Sequence, residues 1–142
     1  MRVEVLNGVN LDQLGRRDPA LYGTLTLREL ESQIYAWGKE LGVGVRCRQT
    51  NHEGEFVDWL HETLDVADGV VVNPAAWTHY SWAIHDAVEL LTKPVVEVHL
   101  SNVDEREEWR RLSVISDLVE KRISGRGAEG YRDALEFLAA RS

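Results

Sequence analysis

Short apolar runs and longer stripes at helical spacing take turns along this chain. Residues 2–6 form a first run that predicts a strand. A segment rich in Gly, Asn and Arg follows over residues 7–25. Thr26 then opens a helix, Glu29 three residues on completes a capping box, and Leu27, Leu30, Ile34, Trp37 and Leu41 give it a buried stripe. Gly42 ends that helix. Residues 43–49 predict a second strand, and residues 53–66 a second helix that faces inward through Phe56, Val57, Leu60 and Leu64. A short buried strand covers 70–73, and a helix over 81–91 carries Ile84, Val88 and Leu91. Pro94 opens a β-branched run that ends on His99 and continues into Ser101 and Asn102. The remaining pattern predicts a helix over 104–111, a strand over 118–124 and a closing helix over 128–140.

Strands alternating with helices define a layered α/β domain. Right-handed crossovers then give a flavodoxin-like, three-layer α/β/α fold, its five-stranded parallel sheet ordered 2-1-3-4-5. There is no repeat or linker, so residues 1–142 read as one domain. The connection after the first strand is longer than the usual ~2 to 6 residues, and residues 11–25 are a candidate lid beside the ligand edge.

Composition narrows the partners. The formal charge is −8, against the basic face that nucleic acid requires. No apolar run approaches the ~20 residues of a membrane span, and the charged start, Met1-Arg-Val-Glu, is unlike a signal peptide. The single cysteine, Cys47, allows no internal disulfide and fits a reducing, cytoplasmic setting. Lys39, Lys93 and Lys121 are the only lysines among sixteen basic residues; the rest are arginine, the better fork for carboxylates.

Ligands of open α/β sheets sit beyond the carboxyl ends of the strands. There the chain places Asn7 and Asn10, Asn51 and His52, Asn73, then His99, Ser101 and Asn102, with His79, Arg106 and Arg110 close behind. Taken alone each is a cap or turn residue more often than not. Together they supply amides, imidazoles and arginines with almost no carboxylates, a set suited to a polyhydroxylated carboxylic acid. Backbone N–H groups of Leu100 and Ser101 near a helix start would take its carboxylate. No residues have zinc-ligand spacing, no carboxylate cluster would hold magnesium, and no phosphate-binding glycine motif follows a strand, so neither a metal nor a cofactor is expected. Tyr22, in the long loop, is ordinarily a poor base; a neighbouring guanidinium such as that of Arg17 favours the phenolate.

Several motifs in order are highly specific. They are Asn7-Gly-Val-Asn-Leu-Asp-Gln-Leu-Gly-Arg-Arg-Asp-Pro with Tyr22-Gly23; Asn51-His-Glu-Gly-Glu55; Asn73-Pro74 with Thr78-His79; and Glu97-Val-His-Leu-Ser-Asn-Val103. Arg106-Glu-Glu with Arg110, and Gly127-Ala-Glu-Gly-Tyr131, complete the set. Nearly the whole chain thereby resembles the type II dehydroquinases, the 3-dehydroquinate dehydratases of the shikimate pathway and of quinate metabolism. The resemblance implies a hydro-lyase that eliminates water from 3-dehydroquinate in the anti sense, through an enolate and with no cofactor. Tyr22 would be the base, Arg17 would hold its phenolate, and Asn10 would position a water at the enolate oxygen. His99 would be the acid, oriented by Glu97. Asn73, His79 and Arg110 would grip hydroxyls, and Leu100 and Ser101 the carboxylate. Asp86 would reach the site of a neighbouring subunit, within trimers that assemble into a dodecamer. A catalytically inactive paralogue that binds a small hydroxy acid is the alternative.

The chain departs from that family's pattern at named places. Val9 replaces a usual proline; Ala75, Trp77, Tyr80 and Trp82 replace Gly, Tyr, Thr and Val. Asp104-Glu105, Arg111-Leu112, Val114 and Asp117 are further changes, clustered on one segment that bears on assembly.

Overall fold

In a computed structural model, which describes residues 1–141, five parallel strands stand in the order β2-β1-β3-β4-β5. They are β1 (Arg2–Asn7), β2 (Gly44–Gln49), β3 (Gly69–Asn73), β4 (Val95–His99) and β5 (Lys121–Ser124). The fold is therefore the expected flavodoxin-like one. β1, β3 and β4 are buried at nearly every position because helices cover both faces, which is why they read as unbroken apolar runs.

One layer consists of α2 (Leu27–Leu41) and α5 (Glu129–Arg141). Leu30, Ile34, Leu135 and Leu138 join Val3, Val5, Val71 and Val96 in the core beneath it. The other consists of α3 (Glu53–Val66) and α4 (Trp82–Glu89), where Phe56, Leu60, Ile84 and Val88 pack on Leu6, Val70 and Val72. The Thr26–Glu29 capping box is formed, and Gly42 ends α2 at φ 71°, in the left-handed region. Val57 and Leu64 are only half-buried, while Thr63 is buried and satisfies its hydroxyl on the Leu60 carbonyl.

Two expected elements change. Residues 104–111 do not make a helix but two 3-10 turns, Val103–Glu105 and Glu108–Arg110, separated by extended backbone at Arg106 and Glu107. The reason is packing: Trp109 and Leu112 are exposed, so the segment has no apolar stripe to dock, and a short helix without one is unstable in water. The last strand starts at Lys121 rather than 118, because Leu118 and Val119 turn onto the α3–α4 core first. The expected lid is not all loop: a 3-10 turn covers Leu11–Gln13, and one helical turn, α1 (Pro19–Tyr22), is capped by Asp18.

A charge lies inside. Glu4 of β1 is fully buried and is held by Arg46, its partner across β2, and by Arg48 at 3.0 Å. Pairing of this kind makes a buried carboxylate tolerable.

Candidate active site

Every strand ends at one rim, and the loops there close a cavity lined by Asn10, Arg17, Tyr22, Asn73, His79, His99, Leu100, Ser101 and Arg110, together with Arg106. Close packing of β1 against β3 forms its floor. Gly8 donates from its N–H to the Asn73 carbonyl at 2.8 Å, and a Cβ there would lie 2.6 Å from the Pro74 oxygen, so only glycine fits.

Tyr22 stands on the lid wall. Arg17 Nη2 donates to its Oη at 2.8 Å and Arg106 Nη1 at 2.6 Å, while the Arg17 guanidinium stacks 3.9 Å from the ring centroid. Two guanidinium donors thus converge on one phenol oxygen. Arg106 also reaches Ser101 Oγ at 3.4 Å, which ties the lid to the end of β4.

His99 ends β4 and lines the same cavity. Its Nε2 meets Glu97 Oε2 at 2.5 Å, which leaves Nδ1 for the cavity. Glu97 lies two residues earlier on the same face of the strand and is fully buried. Its other oxygen accepts from Ser113 Oγ at 3.1 Å, and Arg122 Nε donates to Oε2 at 3.3 Å. A carboxylate behind an imidazole fixes the tautomer and supports the imidazolium.

His79 stacks on His99 with centroids 6.4 Å apart. Its Nδ1–H donates to the Leu112 carbonyl at 2.7 Å, and burial, helped by the positive charge of His99, Arg110 and Arg122, holds its pKa below the usual 6.5. The ring is thus neutral and presents an acceptor nitrogen to the cavity. Asn73 is fixed from below: its Oδ1 accepts from Ala75 N–H, and its Nδ2 donates to Tyr131 Oη at 2.9 Å. Tyr131, fully buried, donates in turn to Asn7 Oδ1 at 2.6 Å, and burial pushes the pKa of its phenol up. Asn10 adopts φ 67°, with its N–H on Asn51 Oδ1.

Not every predicted residue lines the cavity. Glu97 stands behind it, and Asp86 projects from α4 with its side chain 78% exposed, paired with His85. Asn7 lies beneath the floor, Asn51 braces the lid turn and Asn102 caps the 3-10 turn that follows it. The backbone after β4 runs into that three-residue turn, not the start of a longer helix; Gly127 and Gly125 N–H groups bind the Leu100 and Ser101 carbonyls and fix it. Sequence alone assigns no role to Ser113, Arg122 or Tyr131, and it sets Arg106 at the rim without its partner Tyr22. Arg106 and Tyr131 stood inside the motifs, which was the one signal that could have marked them. Among the described residues, no group of three or more His, Cys, Asp or Glu is arranged to hold a metal ion.

A flavodoxin-like sheet with a guanidinium-held phenol and a carboxylate-backed imidazole lining one cavity at its carboxyl edge has the architecture of an α/β enzyme. The family description "Dehydroquinase class II" matches residues 1–139. A 3-dehydroquinate dehydratase of Salinispora tropica is 53% identical over 142 residues, covering 100% of this chain and 99% of the relative. One from Deinococcus radiodurans is 50% identical over 95% of each chain. The crystal structure of a type II dehydroquinase from Propionibacterium acnes superposes with a TM-score of 0.95 at 47% identity, covering 98% of this chain and 96% of that one. The chain belongs to the class II dehydroquinases.

Proposed function

We infer that this chain dehydrates 3-dehydroquinate to 3-dehydroshikimate. The observation that carries the reading is the pairing across one cavity of Tyr22, under two guanidinium donors, with His99, backed by Glu97. A base and an acid lining one cavity suit an elimination in which proton removal and leaving-group protonation fall to different groups. Relatives over the full chain support activity, and nothing among them favours the inactive alternative.

Tyr22, as phenolate, takes the proton alpha to the ketone, and the C–H electron pair moves onto the carbonyl oxygen to give an enolate. A water held by Asn10 stabilises that oxygen. The enolate then collapses, the C1–O bond breaks, and His99 delivers its proton so that the hydroxyl departs as water. Return of the proton from phenol to imidazole through solvent resets the pair. Neutral His79, with Asn73 and Arg110, binds hydroxyls, and the Leu100–Ser101 backbone binds the substrate carboxylate. The segment over 11–25 closes as a lid, with Arg17 and Tyr22 carried on it.

Assembly completes the reading. Exposed Tyr80, Trp82 and Leu112 form apolar surface near the site, and Asp86 points outward. These features support a subunit contact here; likeness to the family carries the further reading of trimers in which Asp86 reaches the neighbouring cavity, built into a homododecamer, and the single cysteine, Cys47, suits a cytoplasmic setting.

The test follows the rise in ultraviolet absorbance of the conjugated product after adding 3-dehydroquinate. Wild type gives the rise; Tyr22→Phe and His99→Ala each lose at least about a hundredfold in kcat with the fold intact by circular dichroism. Near-normal turnover by either variant removes that residue from its role, and no turnover by folded wild type removes the function.

A further inference from the structure

Arg122 is a guanidinium on the edge strand with one ionic partner among the described residues, and that partner is Glu97. β4 and β5 run parallel with Glu97 opposite Arg122 in register, so the two side chains leave the same face of the sheet at neighbouring positions. Glu97 Oε2 accepts from Arg122 Nε at 3.3 Å and from His99 Nε2 at 2.5 Å. One oxygen therefore serves a guanidinium and an imidazole. Arg122 is largely covered, and its Nη2 is buried without a hydrogen bond, so its link to Glu97 is what holds it in place.

We propose that Arg122 is a positioning residue of this reaction: by sharing Glu97 with His99 it keeps that buried carboxylate ionised and eases proton release from the imidazole. This rests on the dehydration reading above. A buried carboxylate facing an imidazolium alone would hold that proton tightly and leave a sluggish acid. A second cation on the same oxygen offsets part of the attraction, and arginine supplies it at every working pH. The other charged or titratable groups around His99 all lie on different elements. His79 follows β3, Arg106 and Arg110 come from the turns after β4, and Tyr22 and Arg17 come from the lid. Each of those faces the ligand cavity, whereas Arg122 does not line it and makes its hydrogen bond to Glu97 from behind.

Two measurements separate this proposal from a merely structural role. In ligand-free protein with labelled histidine, the titration midpoint of the His99 ring, followed by NMR, rises by about one pH unit in Arg122→Met and Arg122→Gln, a tenfold gain in proton affinity. Arg122→Lys, which restores the charge, returns it close to wild type. In turnover, the alkaline limb of kcat moves the same way in the Met and Gln variants. Their plateau kcat falls about three- to tenfold, and KM stays within about twofold. A midpoint that stays put or falls in the folded Gln variant, which keeps a hydrogen bond to Glu97 without the charge, overturns the proposal. The NMR arm needs no substrate, so a protein that fails to dehydrate 3-dehydroquinate would sink the function while leaving the Arg122–Glu97–His99 coupling still measured.

Discussion

Ala75 sits at φ 56°, a left-handed conformation that costs an L-residue with a Cβ roughly 1 to 2 kcal/mol, directly beside the cavity. The strain survives because its N–H is committed to Asn73 Oδ1 at 3.1 Å, which orients the amide. Ala75→Gly relieves the strain but adds conformational entropy to the unfolded chain, so a net gain of about 0.5 to 1 kcal/mol is expected from urea midpoints. His79 argues in the opposite direction with pH. Its folded pKa lies below its ordinary value, so the neutral ring contributes stability that is present above about pH 6.5 and is lost as pH falls through the lowered value. His79→Gln, which cannot titrate, therefore loses less stability than wild type between about pH 7 and about pH 5; equal losses would place the acid sensitivity elsewhere. Both residues were within reach of sequence, His79 as a rim imidazole and Ala75 as an alanine where the family commonly has glycine. That Ala75 keeps the left-handed backbone was not, because φ depends on the hydrogen bond to Asn73.

At the scale of elements, local signals were the legible ones. Thr26 and Glu29 announce their helix because both partners of the capping box lie within four residues. The strand runs that end on Asn73 and His99 announce the rim for the same reason. The segment after β4 was misread, since charged residues at 104–111 have good helical propensity, and only the exposure of Trp109 and Leu112 shows that nothing waits to receive a helix. Arg106 reaches far along the chain: it bonds a phenol 84 positions earlier, a pairing no window of sequence contains. Its effect is on the lid as a unit. With one of two anchors on Tyr22 removed, Arg106→Gln is expected to speed protease cleavage within residues 11–25 severalfold and to raise KM, while the melting temperature of the domain moves by only a few degrees. Unchanged cleavage would show that Arg17 and the capped turn of α1 suffice.

For the molecule as a whole, the two cores are separated by the sheet, and the site draws from both sides of it. Tyr131 rises from the α2–α5 layer to hold Asn73, while Trp77 packs at 5.6 Å on Phe56 in the α3–α4 layer just ahead of His79. The succession of strands and helices followed from periodicity, because each signals its own buried face, and the sheet topology from right-handed crossovers. Assembly did not, since one chain does not display the surface it meets. If the exposed aromatics near the cavity form subunit contacts, Trp82→Glu should yield smaller particles by sedimentation, with secondary structure kept and kcat/KM lowered at least about tenfold through loss of the neighbour's Asp86. A monodisperse wild-type monomer, or an unchanged particle size in the variant, would speak against that arrangement.

The direction of protein synthesis adds a consequence of the way Glu97 is partnered. Its acceptor oxygens are met by Ser113 and Arg122, and Asn73 is held by Tyr131, all specified after the reacting imidazole. Chains emerge amino end first. A ribosome halted near codon 110 would already have joined the phenol and both imidazoles into the chain, yet Ser113, Arg122 and Tyr131 would still be untranslated. Competence for turnover should therefore arrive late and abruptly, with release of the final strand and helix.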